Sequence, residues 1–249
     1  MALNTTLNTA LEMAPKFTPK MAPKMAPNMT PNWTVWAWRQ LGLGVLLMCT
    51  LVGNASAQAN RTQALAALGH ASVQERLNGV MRLAEIGTMP DADRVAERLH
   101  DQDANVREMA AASMWQIWSR SGNKAIDAQY QQGIKQMEGA KLKEAVATFS
   151  DIIKKQPNFA EAWNKRATLY YLLGQLDLSL KDCDEVIKRN PNHFGALSGY
   201  GQIYLQKGDF KRAISYLERA LQVNPNQPGT AATVELLEQK LQEQQRKTI

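Results

Sequence analysis

The chain has 249 residues, and its 29 Lys and Arg against 23 Asp and Glu give a formal net charge of +6. Four basic residues and one acidic residue precede Gln58, so the sequence from Gln58 onward carries only +3. No block of Lys and Arg with interleaved aromatic residues occurs, which gives nucleic-acid binding no support. Cys183 is the only cysteine after Gln58, which excludes an internal disulfide there.

The first 57 residues differ in composition from the rest and indicate an export signal. Residues 13–32 form five tetrads with a proline in each, a pattern that cannot propagate a helix. Arg39 is followed by an apolar run over Leu41–Val52 and by the sequence Ala55-Ser56-Ala57. This order is typical of a secretory signal peptide cleaved after Ala57. The run is short for a membrane span, which needs about 20 apolar residues.

Residues 1–57 are therefore predicted to be a signal peptide with a Pro-, Met- and Lys-rich lead. The protein is expected to be exported to the bacterial periplasm. A lead of this length is unusual, so translation from Met1 and from Met21, Met25 or Met29 all stay open. Retention of the apolar run as a membrane anchor also stays open.

The next segment, residues 58–122, predicts helices at about 61–69, 72–86, 91–100 and 104–119. A D-x-D-x-x-V-R sequence precedes apolar residues at core spacing, and a degenerate copy lies 33 residues earlier. The residues are Asp101, Asp103, Val106, Arg107, Ala110, Ala111 and Met114, with Val73, Glu75, Leu77 and Met81 in the copy. The pattern resembles a HEAT repeat. The resemblance implies structural roles, as ion pairs or helix caps, for Asp101, Asp103 and Arg107.

From Ile126 onward the sequence repeats with a period of 34 residues, in units 126–159, 160–193 and 194–227. Such a period indicates helical hairpins that bury their apolar faces against their neighbours. The shared positions are small residues (Gly133, Ala167, Gly201; Ala145, Ser179, Ala213), large residues (Phe149, Tyr170, Tyr204, Leu217), turn glycines (Gly174, Gly208) and late prolines (Pro157, Pro191, Pro225). The small residues let the two helices of a hairpin approach closely, and each proline ends a second helix.

This pattern resembles the tetratricopeptide repeat, and Trp163 stands where that family favours Trp. The Asn after each proline, at positions 158, 192 and 226, is expected to cap the next helix. Residues 228–249 are predicted to hold a capping helix. The fold class is thus predicted to be all-α, a continuous right-handed α-solenoid of about eleven helices, HEAT-like over 58–122 and tetratricopeptide over 123–227. Trp115 and Trp118 are expected to pack where the two parts meet.

Residue types that carry catalysis or bind metals do not cluster in this sequence. His70, His100 and His193 lie far apart without other ligands at metal spacing, and His100 and His193 are expected to be solvated. Asp182, Asp184 and Glu185 are interpreted as a charged outer face, and Cys183 as a buried structural thiol. We therefore predict no enzyme activity, no catalytic residues, no metal site and no cofactor.

The resemblance implies a partner bound in the concave groove lined by the first helix of each hairpin. The predicted binding residues are Tyr130, Ile134, Asn164, Thr168, Tyr171, Ser198, Gln202 and Leu205. Asn164 is suited to clamp a peptide backbone, and Tyr130 and Tyr171 offer flat apolar area. The set of Lys, Asn and Arg residues with which chaperone-binding members hold a C-terminal carboxylate is missing, since only Lys165 has a suitable charge.

The predicted function is that of an exported scaffold or adaptor that binds a peptide segment of an envelope protein. The expected partner is a protein or peptide, with no nucleic acid, no small-molecule substrate, and a membrane only through an uncleaved N-terminal segment. One alternative is a structural subunit of an envelope or secretion assembly, built through the solenoid ends or the Trp115 and Trp118 region. A less favoured alternative is a regulator of a cell-wall enzyme.

Overall fold

The computed structural model describes residue 58 and residues 60–247, in which all regular structure is helical. Eleven α-helices follow one another: α1 60–67, α2 Val73–Ile86, α3 Ala92–Ala96, α4 Ala104–Trp118, α5 Lys124–Glu138, α6 Leu142–Lys155, α7 Ala160–Leu172, α8 Leu176–Arg189, α9 Phe194–Gln206, α10 Phe210–Val223 and α11 Pro228–Lys247. The prediction of an all-α solenoid is confirmed for this part of the chain. The predicted signal peptide lies outside the described residues.

Three hairpins, α5/α6, α7/α8 and α9/α10, follow the 34-residue period. The small residue of each first helix faces a large residue of the second. A Cβ atom added at Gly133 would lie 2.6 Å from Cζ of Phe149, and one added at Gly201 would lie 2.3 Å from Cδ2 of Leu217. The middle hairpin has Ala167 and Cys183 at these two places, and both are buried. The helices of each hairpin thus approach as closely as the small residues allow.

The turn inside each hairpin requires the left-handed backbone region at its fifteenth position. Gly174 and Gly208 adopt φ angles of 71° and 76° there. The first hairpin has Ala140 at the same place, with a φ of 55°. A residue with a Cβ atom is strained in this conformation, so the first turn is the least favourable of the three.

The recurrent prolines stand two residues after the ends of α6, α8 and α10, as their lack of an N–H predicts. The prediction that the following Asn residues cap the next helices is wrong. The N-caps of α7 and α9 are Phe159 and His193, and Asn226 bonds to the helices before α5. The proline turn is one residue too long for Asn158 or Asn192 to occupy the cap position.

No helix among the described residues is long and apolar enough to cross a membrane. We call the four helices before the hairpins, residues 60–118, the leading helices. Asp103 caps α4 by accepting from the N–H groups of Asn105 and Val106. Asp101 forms two hydrogen bonds of 2.8 Å with Arg76. The structural roles of Asp101 and Asp103 are confirmed, because both carboxylates are used inside the scaffold.

Candidate functional site

The eight predicted binding residues lie on α5, α7 and α9, the first helices of the three hairpins. We call the surface formed by these helices the first-helix face. The residues recur at three- and four-residue spacing, which places those of each helix on one side. Their exposure divides them into two groups. Tyr130 and Asn164 are buried, with 3% and 7% of their surface exposed, whereas Ile134, Thr168, Tyr171, Ser198, Gln202 and Leu205 are partly exposed.

The buried half of the first-helix face is organised around the carboxylate of Glu161, which is 1% exposed. Lys165 Nζ lies 2.9 Å from Oε1, and His193 Nε2 lies 2.8 Å from Oε2. The amide nitrogen of Asn164 donates to both oxygens at 3.2 Å, and the Tyr130 hydroxyl reaches Oε1 at 3.4 Å. Side chains from α5, α7 and the α9 N-terminus therefore meet at one buried carboxylate.

Hydrogen bonding and charge keep the carboxylate of Glu161 ionised. Burial favours the neutral acid, but the charge of Lys165 and the hydrogen bond from His193 outweigh it and lower the pKa of Glu161 to about 2. The Nδ1 atom of His193 accepts from the N–H of Ala196, so in the neutral ring Nε2 carries the hydrogen that it donates to Glu161. Burial, and then the charge of Glu161, raises the pKa of Tyr130 well above its usual range.

The prediction of a solvated His193 is wrong, because its side chain is fully buried. As the N-cap of α9, His193 points back into the hairpin stack rather than out of the inter-unit loop. The Glu161 cluster itself was not predicted. Two signals were present in the sequence: Glu161 and Lys165 are four residues apart on one helix, and Glu161 and His193 are separated by nearly one repeat.

Trp115 and Trp118 of α4 cover this cluster. The ring of Trp118 stacks on the imidazole of His193 with centroids 4.2 Å apart, and Lys165 Nζ lies 5.2 Å from the ring centroid of Trp115. A Cβ atom added at Gly195 would lie 2.3 Å from Cη2 of Trp115, so the indole rests directly on the backbone of α9. The predicted packing role of the two tryptophans is confirmed, and their contacts are with the second and third hairpins.

Polar contacts hold the leading helices against the end of the third hairpin as well. Asn226 accepts from Arg107 Nε at 2.7 Å and donates to the carbonyl of Leu99 at 3.0 Å. His100 Nε2 lies 3.1 Å from the carbonyl of Gln222. Arg107 therefore has the structural role that the sequence predicts. The N-terminal halves of α7 and α9 are covered by the chain itself.

The C-terminal halves of α5, α7 and α9 remain open to solvent in part. Their partly exposed side chains are Ile134 and Met137, Thr168 and Tyr171, and Gln202 and Leu205. We call this uncharged set the open stripe. Burial raises the pKa of Tyr171, whose ring packs against the core between the second and third hairpins. The open stripe is the part of the predicted groove that another molecule can reach.

The acidic residues of α8 serve the scaffold. Asp182 is buried and accepts from Arg166 Nε and Nη2 at 2.7 and 2.8 Å, so the prediction that it lies on a charged outer face is wrong. Its side chain points toward α7, where it pairs with the partly buried guanidinium of Arg166. Asp184 accepts from the Tyr200 hydroxyl. Within the described residues no three acidic, His or Cys side chains form a metal-binding group.

Cys183 is a buried thiol, as predicted, with 2% of its surface exposed. Burial, and then the negative charge of Asp182, raises the pKa of this thiol to about 12. The thiolate that would be needed for nucleophilic or redox chemistry is therefore strongly disfavoured at neutral pH.

Comparison with known proteins identifies the repeats. No curated protein sequence was found to match the chain. The first tetratricopeptide domain of Spaghetti (RPAP3) bound to the HSP90 peptide SRMEEVD is 21% identical over 47% of this chain and 92% of that chain, with a TM-score of 0.45. The Sgt2 domain from Aspergillus fumigatus is 19% identical over 50% of this chain and 83% of that chain, with a TM-score of 0.47.

The Yersinia enterocolitica type III secretion chaperone SycD in complex with a peptide of the translocator YopD is also similar. It is 17% identical over 47% of this chain and 95% of that chain, with a TM-score of 0.45. Two family models described as tetratricopeptide repeat match the sequence, one over residues 127–158 and one over residues 158–226. Neither describes an enzyme family. The chain therefore carries tetratricopeptide repeats over residues 127–226.

Proposed function

We propose that the protein is a binding adaptor that holds a peptide segment of another protein on the open stripe. The observation that carries this proposal is the division of the first-helix face. Glu161, Lys165 and Asn164 are bonded to one another under α4, whereas the uncharged side chains of the open stripe remain partly exposed. Tyr171 and Leu205 supply apolar contact area, and Thr168 and Gln202 supply hydrogen-bonding groups to an extended backbone.

We further propose that the adaptor acts after export, in the bacterial periplasm, on a protein of the cell envelope. The order of Arg39, the apolar run over Leu41–Val52 and the Ala57 site supports export. N-terminal sequencing of the protein recovered from a periplasmic fraction is expected to give Gln58 as the first residue. Recovery of the protein only in the cytosol, with its original N-terminus, would contradict this part of the proposal.

In-cell photocrosslinking tests the adaptor function. A photoreactive residue is placed at Gln202 in the open stripe, and a control probe at Leu178 on α8, which is 41% exposed. We expect one protein to be captured at Gln202 and not at Leu178. Tyr171→Ala should reduce the capture at Gln202, because the ring is the largest partly exposed group of the stripe, whereas Leu178→Ala should leave it unchanged.

Equal capture at both probes, or none at either, would contradict the adaptor function. Size measurement of the purified protein separates this function from the structural-subunit alternative. A monomer that captures its partner through Gln202 supports an adaptor. A defined oligomer that Tyr171→Ala leaves intact, with no capture at Gln202, would favour a structural subunit.

A further inference from the structure

The contact between α4 and the first-helix face has features of a recognition site in addition to those of a hydrophobic core. The surface under α4 contains the buried Glu161 carboxylate, with hydrogen bonds from three side chains, and Lys165, whose ammonium group lies between that carboxylate and the ring of Trp115. Gly195 provides a place where an indole can lie on the backbone. The polar groups are held in place by the repeats and are complete without α4.

The indole group of Trp118 fits this surface imperfectly. Trp118 is 3% exposed and its ring stacks on His193, but its buried Nε1 atom has no hydrogen-bond partner among the described residues. A buried N–H without a partner is unfavourable, because the group has given up its hydrogen bond to water and gained none in the protein. Trp118 therefore gains less from the site than an aromatic group of similar shape without that donor would gain.

We propose that the first-helix face of the second and third hairpins is a binding site for an amphipathic helix with two aromatic residues spaced as in Trp-x-x-Trp. The α4 helix occupies this site in the resting protein. A partner helix with aromatic side chains at the same spacing competes with α4 for it. This proposal rests on the adaptor function, because it assigns a second, covered part of the same face to partner binding.

The test uses α4 itself as the probe. A labelled peptide with the sequence of residues 104–120 is titrated into the full protein and into the variant Trp115→Ala/Trp118→Ala. The peptide should bind the variant, whose site is empty of indoles, at least about tenfold more tightly than the wild type. A peptide in which both tryptophans are replaced by alanine is the control and should not bind the variant.

A third substitution locates the bound peptide. Gly195→Ala, added to the double variant, places a Cβ atom where the indole must lie and should abolish peptide binding. If the double variant fails to show a helical circular dichroism spectrum, the single variant Trp115→Ala takes its place, because Trp115 is partly exposed.

The inference would be overturned by a folded variant that does not bind the peptide, by equal binding to wild type and variant, or by binding that Gly195→Ala leaves unchanged. These outcomes differ from failure of the adaptor function, which is measured by capture at Gln202 and involves no α4 peptide.

Discussion

At the scale of single residues, Glu161 is the group that the rest of the first-helix face is arranged around. Its carboxylate is buried with Lys165, His193, Asn164 and Tyr130 within reach. Removal of one partner from a buried charged pair is costly because the other charge stays buried. Two of these five residues, Tyr130 and Asn164, are predicted from the sequence to contact a partner protein. In the structure both side chains bond to Glu161 instead.

Glu161→Gln is expected to destabilise the protein by about 3 kcal/mol at neutral pH, since the amide cannot pair with Lys165 and His193. The pKa of Glu161 is lowered from 4.5 to about 2, so its contribution is complete above pH 4.5 and is lost as the pH falls toward 2. Urea unfolding at pH 7, 4 and 3 should show wild type and variant converging. A constant difference across this range would contradict the assignment, and Glu218→Gln, at an exposed position, is the control.

Ala140→Gly is expected to stabilise the protein by roughly 0.5–1 kcal/mol, because a left-handed alanine is strained and the gain exceeds the added flexibility of glycine. The opposite change in the second hairpin, Gly174→Ala, should destabilise it by about 1 kcal/mol. Thermal unfolding of both variants provides the comparison. If Ala140→Gly lowers the stability, the strain attributed to the φ of 55° is absent.

At the scale of secondary-structure elements, the facing side chains of the two helices in each hairpin are matched in size. Gly133 faces Phe149, Ala167 faces Cys183 and Gly201 faces Leu217, so a larger residue on one helix meets a smaller one on the other. This pairing is readable from the sequence, because the period alone aligns the positions. The helix boundaries followed from the same period and from the prolines, since both reflect local backbone chemistry.

Gly133→Ala is expected to destabilise the first hairpin by about 1–3 kcal/mol, because the new methyl group meets the Phe149 ring. The same change made in a Phe149→Leu background should cost about 1 kcal/mol less, which a double-mutant cycle of urea unfolding measures. Gly199→Ala is the control: its Cβ atom would lie 3.7 Å from Cys183 Sγ, an ordinary contact, so alanine should stabilise α9. Strict additivity in the cycle would contradict the direct contact.

At the scale of the whole molecule, the leading helices contact the far end of the repeat array. The sequence predicted both segments and the order of their helices. It did not predict that α4 lies on the second and third hairpins, nor which polar groups are buried beneath it. A repeat period predicts the contacts between each unit and the next unit only. An apolar helix face, such as that of Trp115 and Trp118, predicts that the face is buried but not which surface it packs against. His193 is predicted to be solvated for the same reason, because the repeat pattern does not show that Trp118 covers its ring.

Asn226→Ala is expected to lower the opening free energy of the α4 amides by about 1–2 kcal/mol, because two hydrogen bonds to the leading helices are lost. The amides of α5 in the first hairpin should change less. Hydrogen exchange followed by mass spectrometry measures both. Asn192→Ala, at the same repeat position on the exposed surface, should leave both unchanged. A uniform loss of protection over α4 and α5 would show that Asn226 acts on global stability alone.

The bond between Leu99 and Asn226 also has a consequence for the order of events during synthesis. The two residues are 127 positions apart, so the amide that bonds to the Leu99 carbonyl does not yet exist when the leading helices leave the ribosome. At a synthesis rate of about 5–20 residues per second this delay lasts roughly 6–25 s. The rings that cover the two tryptophans, those of His193 and Phe194, also follow α4 in the chain, so the aromatic side of α4 is made before the surface that buries it.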